Sequence, residues 1–149
     1  FFTYKHVNTI LVSKLLDKYF IAYLNGKGPE FCDTKLIDGT LETSCSKFGN
    51  YVVAMDTTPP KIKPLNIADK IRIENESQIR FHVEDSTGIS GYIGYIDNNW
   101  ALFEWDPKTN TLLHNLNGNK TAKQKWHSLK LEVIDKLNNK SEFKCEFFW

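Results

Sequence analysis

The chain has 149 residues, with 19 basic and 18 acidic side chains, and its formal net charge at pH 7 is +1. Because the basic residues are spread along the chain, no patch of the kind that binds nucleic acid is predicted. No apolar run approaches the roughly 20 residues that a membrane-spanning helix needs, so no membrane span is expected. The 3 cysteines form no C-x-x-C pair, which excludes a zinc ribbon and a thioredoxin-type site.

A proline pair divides the chain into two β-rich pieces. Residues 56–61 read Asp-Thr-Thr-Pro-Pro-Lys, and two consecutive prolines lack backbone donors and favour an extended spacer over a sheet. We therefore predict an all-β chain of tandem immunoglobulin-like modules. Residues 1–56 form a short or partial β-rich domain, and residues 57–149 have the length of one β-sandwich. The chain opens on Phe1-Phe2 with no initiator Met and no signal peptide, which suggests a piece of a longer protein.

Turn residues divide the first piece into short strands. Two hairpins are predicted, from residues 19–24 before Asn25-Gly26 and from residues 35–37 and 41–46 around Asp38-Gly39. Residues 9–18 are the only helical candidate, although a strand or a loop fits their pattern equally well. A disulfide between Cys32 and Cys45 is conceivable because they flank the second hairpin, and the alternative is a pair of small buried thiols.

The second piece shows the period-two alternation of half-buried strands. In residues 78–84, Ile79, Phe81 and Val83 alternate with polar side chains, so one face of this strand is expected to be buried. The same pattern recurs in residues 125–135 and 142–149, with these side chains predicted to point inward: Leu129, Leu131, Val133, Phe143, Cys145 and Phe147. With weaker candidates added, the piece has about seven strands, the number typical of an immunoglobulin-like sandwich.

A hairpin with its turn at Asn98-Asn99 is predicted to present two different faces. Its apolar face is assigned to the core, with Phe103 lying over Gly94, whose missing side chain leaves room for an aromatic ring. Its other face is mixed, and the register pairs Asp97 with Trp100, Tyr95 with Leu102 and Ile93 with Glu104. Large aromatic side chains on a mixed face indicate a ligand or interdomain contact, so Tyr95, Trp100 and Glu104 are the candidate site residues.

No motif of an enzyme is recognisable in the chain. The 4 histidines are scattered, and no H-x-H, H-x-x-x-D or H-E-x-x-H pattern is present, although zinc sites need ligands at such tight spacings. No phosphate-binding glycine loop or G-x-S-x-G elbow occurs. Asp85 and Asp135 end strands where calcium sites can form, but both lie in ordinary turn sequences, which is the favoured interpretation. We therefore expect no catalytic residue, no metal and no cofactor.

Four segments, taken in order, carry a resemblance to a known family. They are GNYVVAMDTTPPKI at residues 49–62, VEDSTGI at 83–89, YIDNNW at 95–100 and VIDKLNN at 133–139. This order resembles the C-terminal region of Bacteroidetes M23-family (lysostaphin-type) metallopeptidases, in which immunoglobulin-like segments follow the catalytic domain. The likeness spans most of residues 48–149. In that family the zinc ligands come from H-x-x-x-D and H-x-H patterns, which have no counterpart here, so no catalytic residue is carried over.

The resemblance implies a periplasmic or extracellular location in the cell envelope and a non-catalytic, accessory or spacer role beside a peptidase. The expected partners are an upstream catalytic domain of the same protein and, beyond it, peptidoglycan or an envelope protein. The alternative is a carbohydrate-binding module or an adhesin-type repeat with its own glycan ligand. The accessory role and the glycan-binding alternative differ in what they predict for Tyr95 and Trp100. In the first, these side chains are covered by residues 1–56, as we expect because so short a piece buries little surface of its own. In the second, they remain available to stack on sugar.

Overall fold

The computed structural model describes residues 2–6, 15–117 and 121–149. Apart from one short 3₁₀ helix, its regular elements are strands. The chain divides into two compact units, Phe1–Thr58 and Pro59–Trp149, so the division falls two residues after the predicted boundary. Among the described residues, no helix is long and apolar enough to cross a membrane.

The described residues of the first unit form two three-stranded sheets. Its elements in chain order are β1 (Phe2–His6), the 3₁₀ helix (Leu16–Lys18), β2 (Tyr19–Leu24), β3 (Pro29–Phe31), β4 (Thr34–Ile37), β5 (Thr40–Cys45) and β6 (Tyr51–Met55). One sheet has the strand order β1-β5-β4 and the other β3-β2-β6. The 3₁₀ helix is the described end of the helical candidate at residues 9–18, of which residues 9–14 lie outside the described part.

Both hairpins predicted in the first unit are confirmed. β4 and β5 pair with Ile37 opposite Thr40, and the turn residues Asp38 and Gly39 have φ values of 49° and 76°. Positive φ at both central positions is the requirement of a type I′ turn, which Gly meets at no steric cost and Asp tolerates. β2 pairs with β3 across the longer loop that begins at Asn25-Gly26.

The three cysteines are free thiols, so the disulfide considered between Cys32 and Cys45 is not formed. Cys45 is buried but Cys32 is only half-buried, so the alternative of two small buried thiols holds for Cys45 alone. Cys145 is also buried, among the apolar side chains of the second unit. Burial raises the pKa of Cys145 to about 12, which keeps this thiol protonated at neutral pH.

The second unit is a β-sandwich with nine strands among its described residues, and the strand order in its two sheets is that of an immunoglobulin-like sandwich. They are β7 (Lys61–Pro64), β8 (Ile71–Arg72), β9 (Gln78–Glu84), β10 (Ile89–Ile96), β11 (Asn99–Ala101), β12 (Glu104–Asp106), β13 (Thr111–Asn115), β14 (Trp126–Asp135) and β15 (Lys140–Phe148). A five-stranded sheet has the order β11-β10-β14-β15-β8, and a four-stranded sheet has the order β12-β13-β9-β7.

The predicted alternation is confirmed in the longest strands of the sandwich. β9 occupies the predicted residues 78–84, and Ile79, Phe81 and Val83 are fully buried. β14 and β15 bury the residues assigned to the core, except that Phe143 is half-buried and packs against it. Because successive side chains of a strand point to opposite faces, the remaining side chains of β14 and β15 form the solvent-facing side of the five-stranded sheet.

The predicted turn at Asn98-Asn99 is wrong by one position. Asp97 and Asn98 carry the positive φ values of 51° and 62°, and Tyr95 is opposite Trp100, with Gly94 opposite Ala101. The pairing is therefore displaced by two residues from the prediction, and a displacement by an even number leaves each side chain on its predicted face. Phe103, which follows the end of the paired segment, is also buried and lies over Gly94, as expected.

The hairpin is also shorter than predicted, because the chain leaves the sheet after Ala101. β12 begins at Glu104 and pairs with β13 in the four-stranded sheet. The predicted pairs of Ile93 with Glu104 and of Tyr95 with Leu102 are therefore wrong. The crossing from one sheet to the other carries Phe103 into the space between them, where its ring packs against Phe81 and His114 at centroid distances of 6.2 and 5.1 Å.

Candidate functional site

The solvent-facing side of the five-stranded sheet, called here the outer face, carries a row of four side chains. Trp100 of β11 is opposite Tyr95 of β10, Tyr95 is opposite Lys130 of β14, and Lys130 is opposite Lys144 of β15. Directly opposite residues project to the same side of a sheet and lie about 5 Å apart. Two aromatic rings and two ammonium groups therefore follow one another across four strands, and this set is called the aromatic–lysine row.

Trp100 is the most exposed tryptophan among the described residues, with 64% of its surface accessible. Its partner Tyr95 is half-buried. This tryptophan at the edge of the sheet, with a tyrosine opposite it on the next strand, presents an apolar surface to solvent. An exposed indole can pack against an apolar face of a ligand and so remove both surfaces from water.

The two lysines of the row form ion pairs with carboxylates on β14 and β15. Lys130 Nζ lies 2.5 Å from Glu132 Oε1 and 3.0 Å from Glu142 Oε2, and Lys144 also pairs with Glu142. Hydrogen bonds from these lysines lower the pKa of Glu142, and the carboxylates in turn raise the pKa of Lys130. The charges of this part of the outer face are thus balanced against each other.

A shallow concavity of about 470 Å³ lies beside the aromatic–lysine row on the outer face. Its lining residues are Asp69, Lys70, Tyr95, Asn98, Ser128, Leu129, Lys130, Lys144, Cys145 and Glu146. Ser128 is opposite Glu146 in the register of β14 and β15. The side chain of Ser128 is short, whereas the row beside it contains a tyrosine and two lysines, whose side chains are long. This difference in side-chain length accounts for the concavity.

The turn between β10 and β11 is tied to the sheet by Asp97. The Asp97 carboxylate accepts a hydrogen bond from Ser128 N at 3.0 Å and lies 2.8 Å from His127 Nδ1. Burial alone would raise the pKa of Asp97, but the bonds from His127 and Ser128, with the charges of His127 and Lys125, lower it overall. These contacts fix the turn that directly precedes Trp100. The contacts of Asp97 therefore help to position Trp100 opposite Tyr95.

His127 is completely buried below that turn. Its second ring nitrogen, Nε2, lies 2.7 Å from the carbonyl oxygen of Ala122. Both ring nitrogens therefore lie within hydrogen-bonding distance of oxygen atoms, a carboxylate and a backbone carbonyl. His127 thereby joins the segment before β14 to the turn after β10.

The structure brings together two of the three candidate site residues. Tyr95 and Trp100 are direct cross-strand neighbours on the outer face. Glu104 is exposed but belongs to the four-stranded sheet, where it is opposite Leu113, so it is not part of the aromatic–lysine row. Ser128, Lys130 and Lys144 also belong to this surface but were not among the residues predicted from the sequence. The alternation in their strands already assigns them to the solvent-facing side, but their neighbours across the sheet depend on a register that the sequence does not reveal.

The acidic residues at the strand ends accept the hydrogen bonds of their turns, and a carboxylate oxygen of Asp85 lies within 4.8 Å of one of Asp135. Asp85 Oδ1 accepts hydrogen bonds from the backbone N and the hydroxyl of Thr87, at 2.8 and 2.7 Å. Asp135 is fully buried and accepts from Leu137 N, Asn139 N and Asn139 Nδ2, each at 2.8 Å. These bonds hold the turns that follow β9 and β14.

The other histidines with described side chains also contact backbone carbonyls. His82 Nδ1 lies 3.2 Å from Thr109 O, and the buried His114 Nδ1 lies 2.7 Å from Leu102 O. Each contact ties a strand of the four-stranded sheet to a neighbouring loop or sheet crossing. These positions give both rings a structural role.

No protein-family model and no curated protein matches this chain. Among solved structures, the chain is similar to the endo-β-1,4-mannanase from Thermotoga petrophila, with 12% identity and a TM-score of 0.44 over 62% of this chain and 20% of that chain. It is similar to the fibronectin(III)-like modules of Clostridium thermocellum CbhA, with 10% identity and a TM-score of 0.44 over 94% of this chain and 81% of that chain. It is also similar to the Clostridium perfringens spore cortex lytic enzyme SleM, with 14% identity and a TM-score of 0.37 over 78% of this chain and 37% of that chain. The chain thus spans a fifth of the mannanase chain and little more than a third of the SleM chain.

Proposed function

We propose that this chain is a non-catalytic accessory region that attaches to cell-wall glycan through the outer face of its five-stranded sheet. In the same proposal it belongs to the cell envelope and accompanies a peptidase domain of the M23 type in one protein. The resemblance of residues 48–149 to the C-terminal region of those peptidases supports the location and the partner. The aromatic–lysine row supports the ligand.

The observation that carries the glycan proposal is the direct pairing of the exposed Trp100 with Tyr95 beside a polar concavity. The two faces of a pyranose ring are lined largely by C–H groups, which pack on an aromatic ring and remove its apolar surface from water. The hydroxyl groups around the edge of the sugar need donors and acceptors. Lys130, Lys144 and Glu146 provide both kinds at the side of the platform.

The paired charges of the outer face favour binding over chemistry. Lys130 and Lys144 share Glu142 between them, so both ammonium groups have a resident carboxylate partner. A general acid or base needs a pKa close to the working pH, whereas this pairing raises the pKa of Lys130 and lowers that of Glu142. Both groups therefore keep their charges at neutral pH and act as hydrogen-bonding groups.

The test is sedimentation of the purified chain with insoluble peptidoglycan, comparing the wild type with Trp100→Ala and Leu65→Ala. Leu65 is a matched control because it is also exposed but bonds through its backbone to Arg80 of the four-stranded sheet. We expect Trp100→Ala to weaken the affinity for peptidoglycan about tenfold, the loss of one good aromatic contact, and so to lower the bound fraction. Leu65→Ala should leave the affinity unchanged. Equal binding by all three proteins, or binding by none, would refute the proposal.

A further inference from the structure

A second aromatic cluster lies on the same outer face. Trp126 of β14 is opposite Phe148 of β15, and their rings meet edge to face at a centroid distance of 5.6 Å. Trp126 is 45% exposed. The Arg72 guanidinium lies 4.2 Å from the centroid of Phe148 and 5.9 Å from that of Trp126, and it is paired with Glu74 at 3.0 Å. Trp126, Phe148 and Arg72 are called here the second platform, and Trp100 with Tyr95 in the aromatic–lysine row is the first platform.

The second platform lies on the same side of the sheet as the aromatic–lysine row. Trp126, Ser128 and Lys130 are alternate residues of β14, and the residues between them, His127 and Leu129, are buried. Lys130 is four positions after Trp126 in the strand, which corresponds to about 13 Å along the sheet. The two platforms therefore lie at the two ends of one path across the outer face.

The concavity occupies the space between them. Ser128 and Glu146 are opposite each other midway between the aromatic–lysine row and the second platform, and both line the concavity. Lys70 and Asp69 line its further side. A ligand that contacts both platforms must cross this lower part of the sheet, where small and polar side chains leave room and offer hydrogen bonds.

The charges along this path are paired, which defines the chemistry of the occupant. Lys70 pairs with Glu146, and Arg72 pairs with Glu74, as Lys130 and Lys144 do with Glu142. Since no single sign of charge dominates, the path gives no electrostatic preference for an anion or a cation. Apolar platforms separated by balanced donors and acceptors match an uncharged chain of hydroxyl-rich rings.

We infer that the outer face holds a linear oligosaccharide longer than a disaccharide, with one ring on Trp100 and Tyr95 and a later ring on Trp126 and Phe148. This inference rests on the proposed glycan-binding function and adds the length and the path of the ligand. The sugar rings between the two platforms cross Ser128 and Glu146. Each platform contributes its own share of the affinity.

The experiment titrates the full chain with chitobiose and with chitohexaose and measures the affinity for each sugar by isothermal titration calorimetry and nuclear magnetic resonance. We expect the wild type to bind the hexasaccharide about tenfold more tightly than the disaccharide, the effect of one added aromatic contact. Trp126→Ala should abolish this preference, because the hexasaccharide then keeps only the contacts at Trp100 and Tyr95. Trp126→Leu preserves apolar bulk at the position if the alanine variant folds poorly, and it should lose the preference too. Thermal unfolding checks that each variant is folded.

The outcomes separate the two proposals. If folded Trp126→Leu retains the wild-type preference for the hexasaccharide while Trp100→Ala weakens the binding of both sugars, the second platform is not used and the inference is wrong, but glycan binding by the outer face stands. If the wild type binds neither sugar, or if Trp100→Ala binds both as the wild type does, the proposed function is refuted and the inference is refuted with it.

Discussion

Gly94 and Phe103 allow a quantitative test of how the sandwich packs. Phe103 is 3% exposed, so Phe103→Ala should cost about 3–5 kcal/mol, as large core truncations do. A Cβ on Gly94 would overlap ring carbons Cδ2 and Cε2 of Phe103. The ring is confined by Phe81 and His114 and has little room to move, so Gly94→Ala should cost about 1–3 kcal/mol or more through overpacking.

The double variant separates a direct clash from two independent effects. If the effects were independent, the combined loss would be the sum of the two, about 4–8 kcal/mol. Removing the Phe103 ring creates the space that a Cβ on Gly94 needs, so we expect the double variant to lose only about 3–5 kcal/mol, the cost of Phe103→Ala alone. The coupling energy is then as large as the cost of Gly94→Ala by itself.

Urea unfolding followed by tryptophan fluorescence measures these losses in the second unit, because all 4 tryptophans lie at or after residue 100. Each kcal/mol corresponds to a fall in melting temperature of about 4–8 °C for a domain of this size. The two single variants and the double variant complete the cycle. Additivity within about 0.5 kcal/mol would refute the direct contact between Gly94 and the Phe103 ring.

Three further predictions concern the buried polar groups and the absence of enzyme motifs. Burial lowers the pKa of His114 below its ordinary value of 6.5, against the opposing effect of the bond to Leu102. Below pH 6.5 the unfolded chain binds a proton that the folded chain excludes, so the free energy of unfolding should decrease as the pH is lowered. His114→Asn keeps a donor without titrating and should flatten this loss in urea unfolding at pH 7 and pH 5, whereas an unchanged slope would contradict the assignment. Asp135→Ala leaves three buried donors without their acceptor and should cost at least about 3 kcal/mol in the same assay, and a loss below about 1 kcal/mol would contradict the role of Asp135 in its turn. The purified chain should hold no stoichiometric zinc by elemental analysis and should not cleave purified peptidoglycan, and either activity would overturn the non-catalytic proposal.

The faces of the strands were predictable, but the partners of each strand were not. The alternation in residues 78–84 identifies Phe81 as buried without knowledge of the sheet, because the period of a strand is set by its own backbone. The turn at Asp97 was misplaced because three consecutive residues, Asp97, Asn98 and Asn99, all tolerate positive φ. The sequence offers no local signal that selects one pair among them.

The candidate site was predictable only in part, for a related reason. Tyr95 and Trp100 were found because they lie close in sequence, in one hairpin. Glu104 was included because the alternation continues unchanged through the residues where the chain crosses to the other sheet. Lys130 joins Tyr95 through the pairing of β10 with β14, a contact between distant segments that a single sequence cannot specify.

The measurement that tests the glycan-binding claim most directly is a nuclear magnetic resonance titration of the ¹⁵N-labelled chain with chitohexaose. We expect the largest shifts in the indole of Trp100 and in the backbone amides of Tyr95, Ser128 and Lys130 on the outer face, with little change in the four-stranded sheet. An unchanged spectrum at saturating sugar, or shifts confined to the four-stranded sheet, would contradict it.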